Sequence, residues 1–491
     1  MILKTCCEAA NGKVVPSMYL FQGRGTKDPF LLECGDDPHE RERLRKPRQI
    51  YDFAPTVSAI VTSHGHTDHV GALPHFVEDG FNGRIFSTIP TKQITEALLL
   101  DNFNKGLVDN VFGLYEPPRK FLERFEVSEG VYATFYPAQG HILGASSILL
   151  EFEKEKLRVL FSGDLGNTNK NMLEVTGEVP EADIVIMEST YGRREHHPDF
   201  QLSLKEIYDG IYETYQKRGN FHIPILSIHK LQEALYYLNR GKESGEILRD
   251  MNIIADSTLG EEITKIYLKE SNRQYFTPEA KRFFTDFPTV PFRCKTPKDI
   301  NKDGRNIILA SSGLDGSHGK FSKYRQDLSS ENNSVAVLSH RIEGSLLDKI
   351  ALGKKGRIGT NGDSFHFNAK SLNVESHSLS GFSSHADATQ LVNWLEKTKA
   401  KYVFLVHGED KDNSRQMLKQ MITTRGLCDE KNIFTPSLLE EYDLTNLHSG
   451  PIYTPATESV PTEHLPKIVN GRTEITLLGQ KVSLPIELVN S

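Results

Sequence analysis

The chain has 491 residues, 38% of them hydrophobic and 25% charged, with a formal net charge of −7 and a sequence pI of about 6.2. This length predicts about two to three domains, and the composition is that of a globular enzyme rather than a disordered or fibrous chain. The acidic balance excludes broad capture of polyanions, so a nucleic-acid substrate would need a local basic groove. No apolar run reaches the roughly 18 residues of a membrane span, and the first eight residues lack the charged-then-apolar pattern of a secretory leader. Five scattered cysteines without a CxxC spacing fit a reduced, cytoplasmic protein.

Residues 1–35 read as short strands with glycine turns, clearest at 18–22 and 30–35, and Glu33 falls at a strand end. There it could reach into a site, but on its own it reads as an ordinary strand-end acid. Residues 36–48 carry Arg41, Arg43, Arg45, Lys46 and Arg48 among several acids, and read as a solvated helix or loop. Val57 to Thr62 is an apolar run expected to be a buried strand. It delivers Ser63-His64-Gly65-His66-Thr67-Asp68-His69, four candidate metal ligands within six positions, on a strand-to-helix loop. Imidazole nitrogen and carboxylate oxygen suit zinc, and also iron or manganese.

Helices are expected over 91–104 and 120–125, and strands over 131–136, 146–153, 157–162 and 184–187. The strand at 131–136 leads to Gly140-His141, that at 157–162 to Gly163-Asp164, and that at 184–187 to Glu188-Ser189-Thr190-Tyr191-Gly192. Five apolar strands thus end in polar residues: Glu33, the His64 loop, His141, Asp164 and Glu188. Strand ends on one rim of a sandwich can converge on a single site.

From about residue 193 the texture changes to strands alternating with helices, which predicts a parallel, doubly wound sheet. The first texture returns at Phe382-Ser383-Ser384-His385-Ala386-Asp387 and at a strand, 402–406, that ends in His407-Gly408-Glu409. The expected organisation is therefore a first domain in two parts (1–192 and 373–440), an inserted α/β domain (193–372), and a C-terminal extension (441–491) that reads as a possible β-hairpin.

This pattern resembles the metallo-β-lactamase superfamily and, within it, the β-CASP nucleases. His64-Gly65-His66-Thr67-Asp68-His69 matches the HxHxDH motif, and His141 and Asp164 match the third and fourth motifs. Glu188, His385 and His407 match the three β-CASP motifs in order. The resemblance implies an α/β fold: an αββα sandwich with an inserted doubly wound β-CASP domain. It implies two zinc ions, with manganese or iron as substitutes: one held by His64, His66 and His141, the other by Asp68, His69 and His407, with Asp164 shared. It implies a hydroxide between the ions as nucleophile, Asp68 among the catalytic residues, His385 as the acid for the leaving oxygen, and Glu188 as its partner. Alone, His385 would read as an ordinary surface or core histidine, and Glu188 as a strand-end acid.

The implied activity is a ribonuclease on single-stranded RNA, leaving a 3′-hydroxyl and a 5′-phosphate. His407 in the third motif goes with RNA substrates in this family. The alternatives are another hydrolase of the superfamily, acting on DNA, a thioester or a lactone, or an inactive scaffold. A homodimer is implied by the resemblance alone. Three departures stand out. Glu33 replaces the usual Asp, His229-Lys230 replaces a Gly-Arg pair, and Ser311-Ser312 lacks the usual following Pro. Lys230 reads equally as a helix-surface lysine or a phosphate contact. Ser311, Ser312 and His340 are weaker candidates for lining a substrate groove.

Overall fold

A computed structural model describes residues 1–6, 13–23, 28–37, 50–175, 177–285, 300, 303–313, 315–316, 319–338, 344–360, 363–372, 381–455, 467–469, 472–477 and 480–485. The charged stretch 38–48 and His340 lie outside the described residues.

The first strands are β1 (Ile2–Thr5), β2 (Tyr19–Gln22), β3 (Phe30–Leu32), β4 (Ala59–Val61) and β5 (Arg84–Phe86). β3, β4 and β5 pair in parallel, each buried or nearly so, which is why they read as continuous apolar runs rather than alternating ones. Next come β6 (Arg124–Ser128), β7 (Val131–Pro137), β8 (Ser146–Phe152), β9 (Leu157–Phe161) and β10 (Ile184–Glu188). The helix expected over 120–125 is instead a turn leading into β6. The register of Phe125 opposite Ala133 uses the alternation of buried Phe125 and Val127 with exposed Arg124 and Glu126.

Helices α1 (Thr67–Val70), α2 (Leu73–Glu78), α3 (Ile89–Asn102) and α4 (Lys105–Gly113) fill the connections. Pro74 and Pro90 stand in the first turns of α2 and α3, where a missing N–H costs nothing. The side chains of Thr88 and Asn104 cap α3 and α4.

The middle of the chain alternates α5 (Phe200–Gln216), β11 (Phe221–Ile225), α6 (Lys230–Ser244), β12 (Asn252–Asp256), α7 (Thr258–Tyr267), α8 (Pro278–Thr285), β13 (Asn306–Ser311) and β14 (Ser334–Val335). After α9 (Leu346–Ala351), the hairpin β15 (Gly356–Thr360) and β16 (Asp363–Phe367), and β17 (Lys370–Ser371), the chain returns through α10 (Ala388–Thr398), β18 (Tyr402–Val406), α11 (Ser414–Thr424), β19 (Ile433–Phe434) and β20 (Glu441–Asp443).

These strands form a six-stranded sheet ordered β20-β1-β2-β3-β4-β5, a seven-stranded sheet ordered β19-β18-β10-β9-β8-β7-β6, and a five-stranded sheet ordered β12-β13-β11-β14-β17. The five-stranded sheet is parallel throughout, as its strand–helix alternation predicts. The two larger sheets meet through aromatic side chains: Phe21 and Phe30 stack on Phe152, and Tyr19 packs on Phe161. The chain thus has the mixed α/β sandwich of the expected class. β18 lies parallel between β10 and β19, so late chain completes the sheet begun by early chain.

Residues Met1–Ile452 form one compact unit and Tyr453–Ser491 a second. The second contains β21 (Lys467–Val469), β22 (Arg472–Leu477) and β23 (Gln480–Pro485), an antiparallel set that extends the expected hairpin by one strand. Among the described residues, no helix is long and apolar enough to cross a membrane.

Candidate metal centre and its acid

Parallel pairing of β3 with β4, and of β10 with β9 and β18, brings the ends of these strands to one rim. Beyond that rim the seven expected ligands converge. His64, His66, His141 and Asp164 make one group with ligand atoms within 4.8 Å of one another, and Asp68, His69, Asp164 and His407 make a second. Asp164 belongs to both. It reaches the site because Gly163 turns the chain at φ +57°, where a Cβ would stand 2.6 Å from the Ser146 carbonyl oxygen. His407 itself adopts a left-handed backbone at φ 52°, a conformation that a non-glycine residue holds only when its surroundings enforce it.

The donor geometry fits a divalent ion. His64 Nε2 is 3.0 Å from His66 Nδ1, which is 3.3 Å from His141 Nε2. Asp164 Oδ2 lies 3.6 Å from both His64 Nε2 and His141 Nε2. In the second group, Asp68 Oδ2 is 3.5 Å from His69 Nε2 and 3.3 Å from His407 Nε2, and His69 Nε2 is 3.4 Å from Asp164 Oδ2. A tetrahedral ion with bonds of about 2.1 Å has ligand–ligand edges of about 3.4 Å. His69 is buried, and its ring nitrogens stand 3.4–3.6 Å from the carboxylates of Asp164, Asp68 and Glu33 without good hydrogen-bond geometry. A buried polar atom left in that state costs free energy that a ligated ion would offset.

The remaining imidazole nitrogens are held from behind. His64 Nδ1 meets Ser63 Oγ at 3.0 Å, His141 Nδ1 meets the Ser384 carbonyl at 3.3 Å, and His407 Nδ1 meets Thr190 Oγ1 at 3.0 Å. Such contacts fix the tautomer that leaves the other nitrogen free to bind metal. Glu33, at φ 63°, turns its buried carboxylate onto the same loop. It accepts the Ser63 N–H at 3.1 Å and lies 3.6 Å from His69 Nδ1. The longer acid therefore reaches both the backbone and the far nitrogen of His69.

Protonation follows the same layout. Burial and the neighbouring His69 hold His64 neutral, well below the usual histidine range. Burial takes His66 down to about 4 and keeps His141 low as well. Burial would raise Asp68 and Asp164, but the imidazoles around them prevail, led by His69 at Asp68 and His407 at Asp164, and both stay ionised. Burial disfavours a charged His69, but Asp164, Asp68 and Glu33 outweigh it, so His69 keeps its proton. That proton marks the positive charge that the surrounding carboxylates demand, and binding of a cation would displace it.

Beside these groups stands a third, Asp164, Glu188 and His385. Glu188 is buried, and the Leu165 N–H donates to its Oε1 at 2.6 Å. His385 Nδ1 lies 3.2 Å from Glu188 Oε2, which leaves Nε2 as the nitrogen that can face a substrate. Burial works against a charged His385, but Glu188, then Asp164 and Asp68, outweigh it and raise its pKa. The His385 loop is tied to the Asp164 loop: Ala386 N–H donates to Leu165 O at 2.8 Å and Asn167 N–H to Ser384 O at 3.1 Å.

The candidate substrate contacts do not all gather here. Lys230 is buried, and its ammonium is taken up by Glu233 and by the Phe382 carbonyl. Ser312 is buried, with its hydroxyl donating to Gly313 O, and half-buried Ser311 accepts the Lys320 N–H. Sequence reading passed over Ser63, Thr190 and Ser384, the groups behind the ligands. His197 Nε2 also lies 3.0 Å from the His385 carbonyl. Ser63, Thr190 and Ser384 lie inside the motifs quoted for their neighbours, which was the available signal.

Two family models match the chain: the metallo-beta-lactamase superfamily over residues 11–206, and the Zn-dependent metallo-hydrolase RNA specificity domain over residues 371–436. A ribonuclease of Thermus thermophilus is 28% identical over 416 residues, covering 81% of this chain and 91% of that one. An RNase J-like protein of Methanocaldococcus jannaschii is 27% identical, covering 78% and 87%. Cleavage and polyadenylation specificity factor subunit 3 of Dictyostelium discoideum is 26% identical, covering 89% of this chain but 57% of that one. The chain therefore spans most of these two prokaryotic proteins and little more than half of the eukaryotic one.

Proposed function

This chain belongs to the metallo-β-lactamase superfamily of hydrolases, with β-CASP ribonucleases among its relatives, and from that premise we propose that it is a metal-dependent ribonuclease acting on single-stranded RNA. The observation that carries the proposal is the pair of His/Asp groups sharing Asp164, with the Glu188–His385 pair at their edge. His64, His66 and His141 would hold one zinc ion, and Asp68, His69 and His407 the other, with manganese or iron as substitutes. When bound, such a pair of ions activates water and offsets the charge that grows on the phosphate oxygens.

The chain's own residues supply the rest. Three neutral imidazoles leave the first position strongly electron-poor, and the carboxylates of Asp68 and Asp164 set the charge of the pair. His385, held at Nδ1 by Glu188, carries the proton for the departing oxygen. The oxygen of water forms the new bond to phosphorus and gives up one proton to solvent, which later restores that of His385, as the P–O3′ bond breaks. The electron pair of that bond goes to O3′, which takes the His385 proton, leaving a 3′-hydroxyl and a 5′-phosphate.

The domain reading goes with this proposal. The five-stranded parallel sheet would belong to an inserted unit, about 193–372, that flanks the route of the RNA. The test compares wild type with His385→Ala. Elemental analysis should find about two transition-metal ions per chain in both proteins, while cleavage falls by a factor of about 10²–10⁴ only in the variant. Equal loss of metal and activity would refute the acid role, and metal-free wild-type protein with full activity would refute the whole reading.

A further inference from the structure

The start of α6 carries a buried ionic cluster that the chemistry above does not use. His229, Lys230 and Glu233 are 1%, 7% and 2% exposed. Glu233 is the centre: Lys170 Nζ lies 2.6 Å from Oε1, Lys230 Nζ 3.1 Å from Oε2, and His229 Nε2 3.7 Å from Oε1. Two ammonium groups share one carboxylate away from water. Burial, against the pull of Glu233 and with the repulsion of Lys170, takes Lys230 down to about 7. Buried charges of this kind cost several kcal/mol of desolvation each, a poor bargain for stability alone.

Each member of the cluster leads to a loop of the site. Lys230 Nζ donates to the carbonyl of Phe382, in the loop that ends at His385. Lys170 follows the Asp164 segment, whose Asn167 Nδ2 donates to Gly381 O at 3.3 Å and to Ser383 O at 3.4 Å. His229, strained at φ 67°, sets its Nδ1 2.9 Å from Tyr267 OH, which accepts the N–H of Leu143, two residues beyond His141. The backbone carbonyl that Lys230 grips lies in the loop whose Ser384 carbonyl orients His141.

We propose that Lys230, anchored by Glu233, is a positioning residue for His385: its ammonium fixes the Phe382 carbonyl, and through the Phe382–His385 loop it sets the imidazole against the leaving oxygen without touching RNA. The inference rests on the reading of His385 as the proton donor. It assigns the His229-Lys230 departure from the family's Gly-Arg pair to loop placement rather than phosphate binding.

The test is kinetic and uses two single-stranded RNAs, one ordinary and one with sulfur replacing the scissile 3′-oxygen. A thiolate leaves without a proton, so the second substrate needs no acid. Lys230→Met keeps the aliphatic stem and leaves Glu233 paired with Lys170, so the fold is expected to persist, as a thermal melt would check. Lys230→Gln carries the same test should the Met variant fail to fold. The expected result is wild-type metal content, an unchanged KM, a kcat about a hundredfold lower on ordinary RNA, and most of that loss recovered on the sulfur substrate. A raised KM with kcat preserved would make Lys230 a phosphate contact and overturn the proposal, as would equal losses on both substrates. His385→Ala is the reference. If it cleaves ordinary RNA normally, the proton-donor reading falls and this inference with it. If it behaves as expected while the Lys230 variants do not, only this inference falls.

Discussion

Replacing Glu33 by Gln removes one charge from a fully buried position while leaving an acceptor for the Ser63 N–H. The lost partner is His69, 3.6 Å away at Nδ1. At that separation a unit charge pair is worth about 4–5 kcal/mol with an effective dielectric of about 20. That attraction belongs to the metal-free state, because a bound ion displaces the His69 proton and leaves Glu33 facing a neutral imidazole. The net expectation is the usual cost of losing a carboxylate behind a metal-binding imidazole, about 10–100-fold in affinity, or roughly 1.4–2.7 kcal/mol. The loss should fall on the ion held by Asp68, His69 and His407. Competition with a graded series of chelators, followed by elemental analysis, reads this directly: one ion per chain should be lost at a lower chelator strength than the other. Glu33→Ala should do the same and also lower thermal stability, since the buried Ser63 N–H loses its acceptor at a cost of about 1–3 kcal/mol. Unchanged release of both ions from Glu33→Gln would refute the claim that Glu33 supports His69.

Asp164→Asn, at the one residue shared by both groups, should strip both ions, with activity falling to background; retention of one ion by elemental analysis would contradict the shared role. Thr190→Val removes the hydroxyl behind His407 Nδ1 and should weaken one ion only, by about 10–100-fold, in the same chelator series. Phe152→Ala opens the aromatic contact between the two large sheets and should cost about 3–5 kcal/mol, seen as a lower denaturant midpoint.

Much of the candidate site was legible because its first candidate ligands are neighbours in sequence. His64, His66, Asp68 and His69 sit on one loop, and no fold is needed to bring them together. His141, Asp164 and His407 were legible only as polar residues at the ends of apolar strands, a signal that gains meaning through recurrence and family pattern. The reach of Glu33 is only the weaker of two readings in the sequence, because it depends on a left-handed backbone that an ordinary Glu does not announce. Lys230 reads from sequence equally as a helix-surface lysine or a phosphate contact, and nothing in the sequence points to its partner Glu233. In the fold every residue from Lys230 to Asn239 is buried: Lys230 meets the Phe382 carbonyl, Glu233 meets Lys170, and Tyr237 packs on Phe200. The helix expected over 120–125 failed for a local reason: the window stopped at Phe125 and missed the alternation that continues to Val127.

The most direct test of the central claim is incubation of the purified chain with end-labelled single-stranded RNA, single-stranded DNA and a thioester, each with and without chelator. Cleavage of RNA to products with a 3′-hydroxyl and a 5′-phosphate is expected, abolished by chelator and restored by zinc. RNA cleavage that survives complete metal removal, or thioester hydrolysis with RNA left intact, would contradict it.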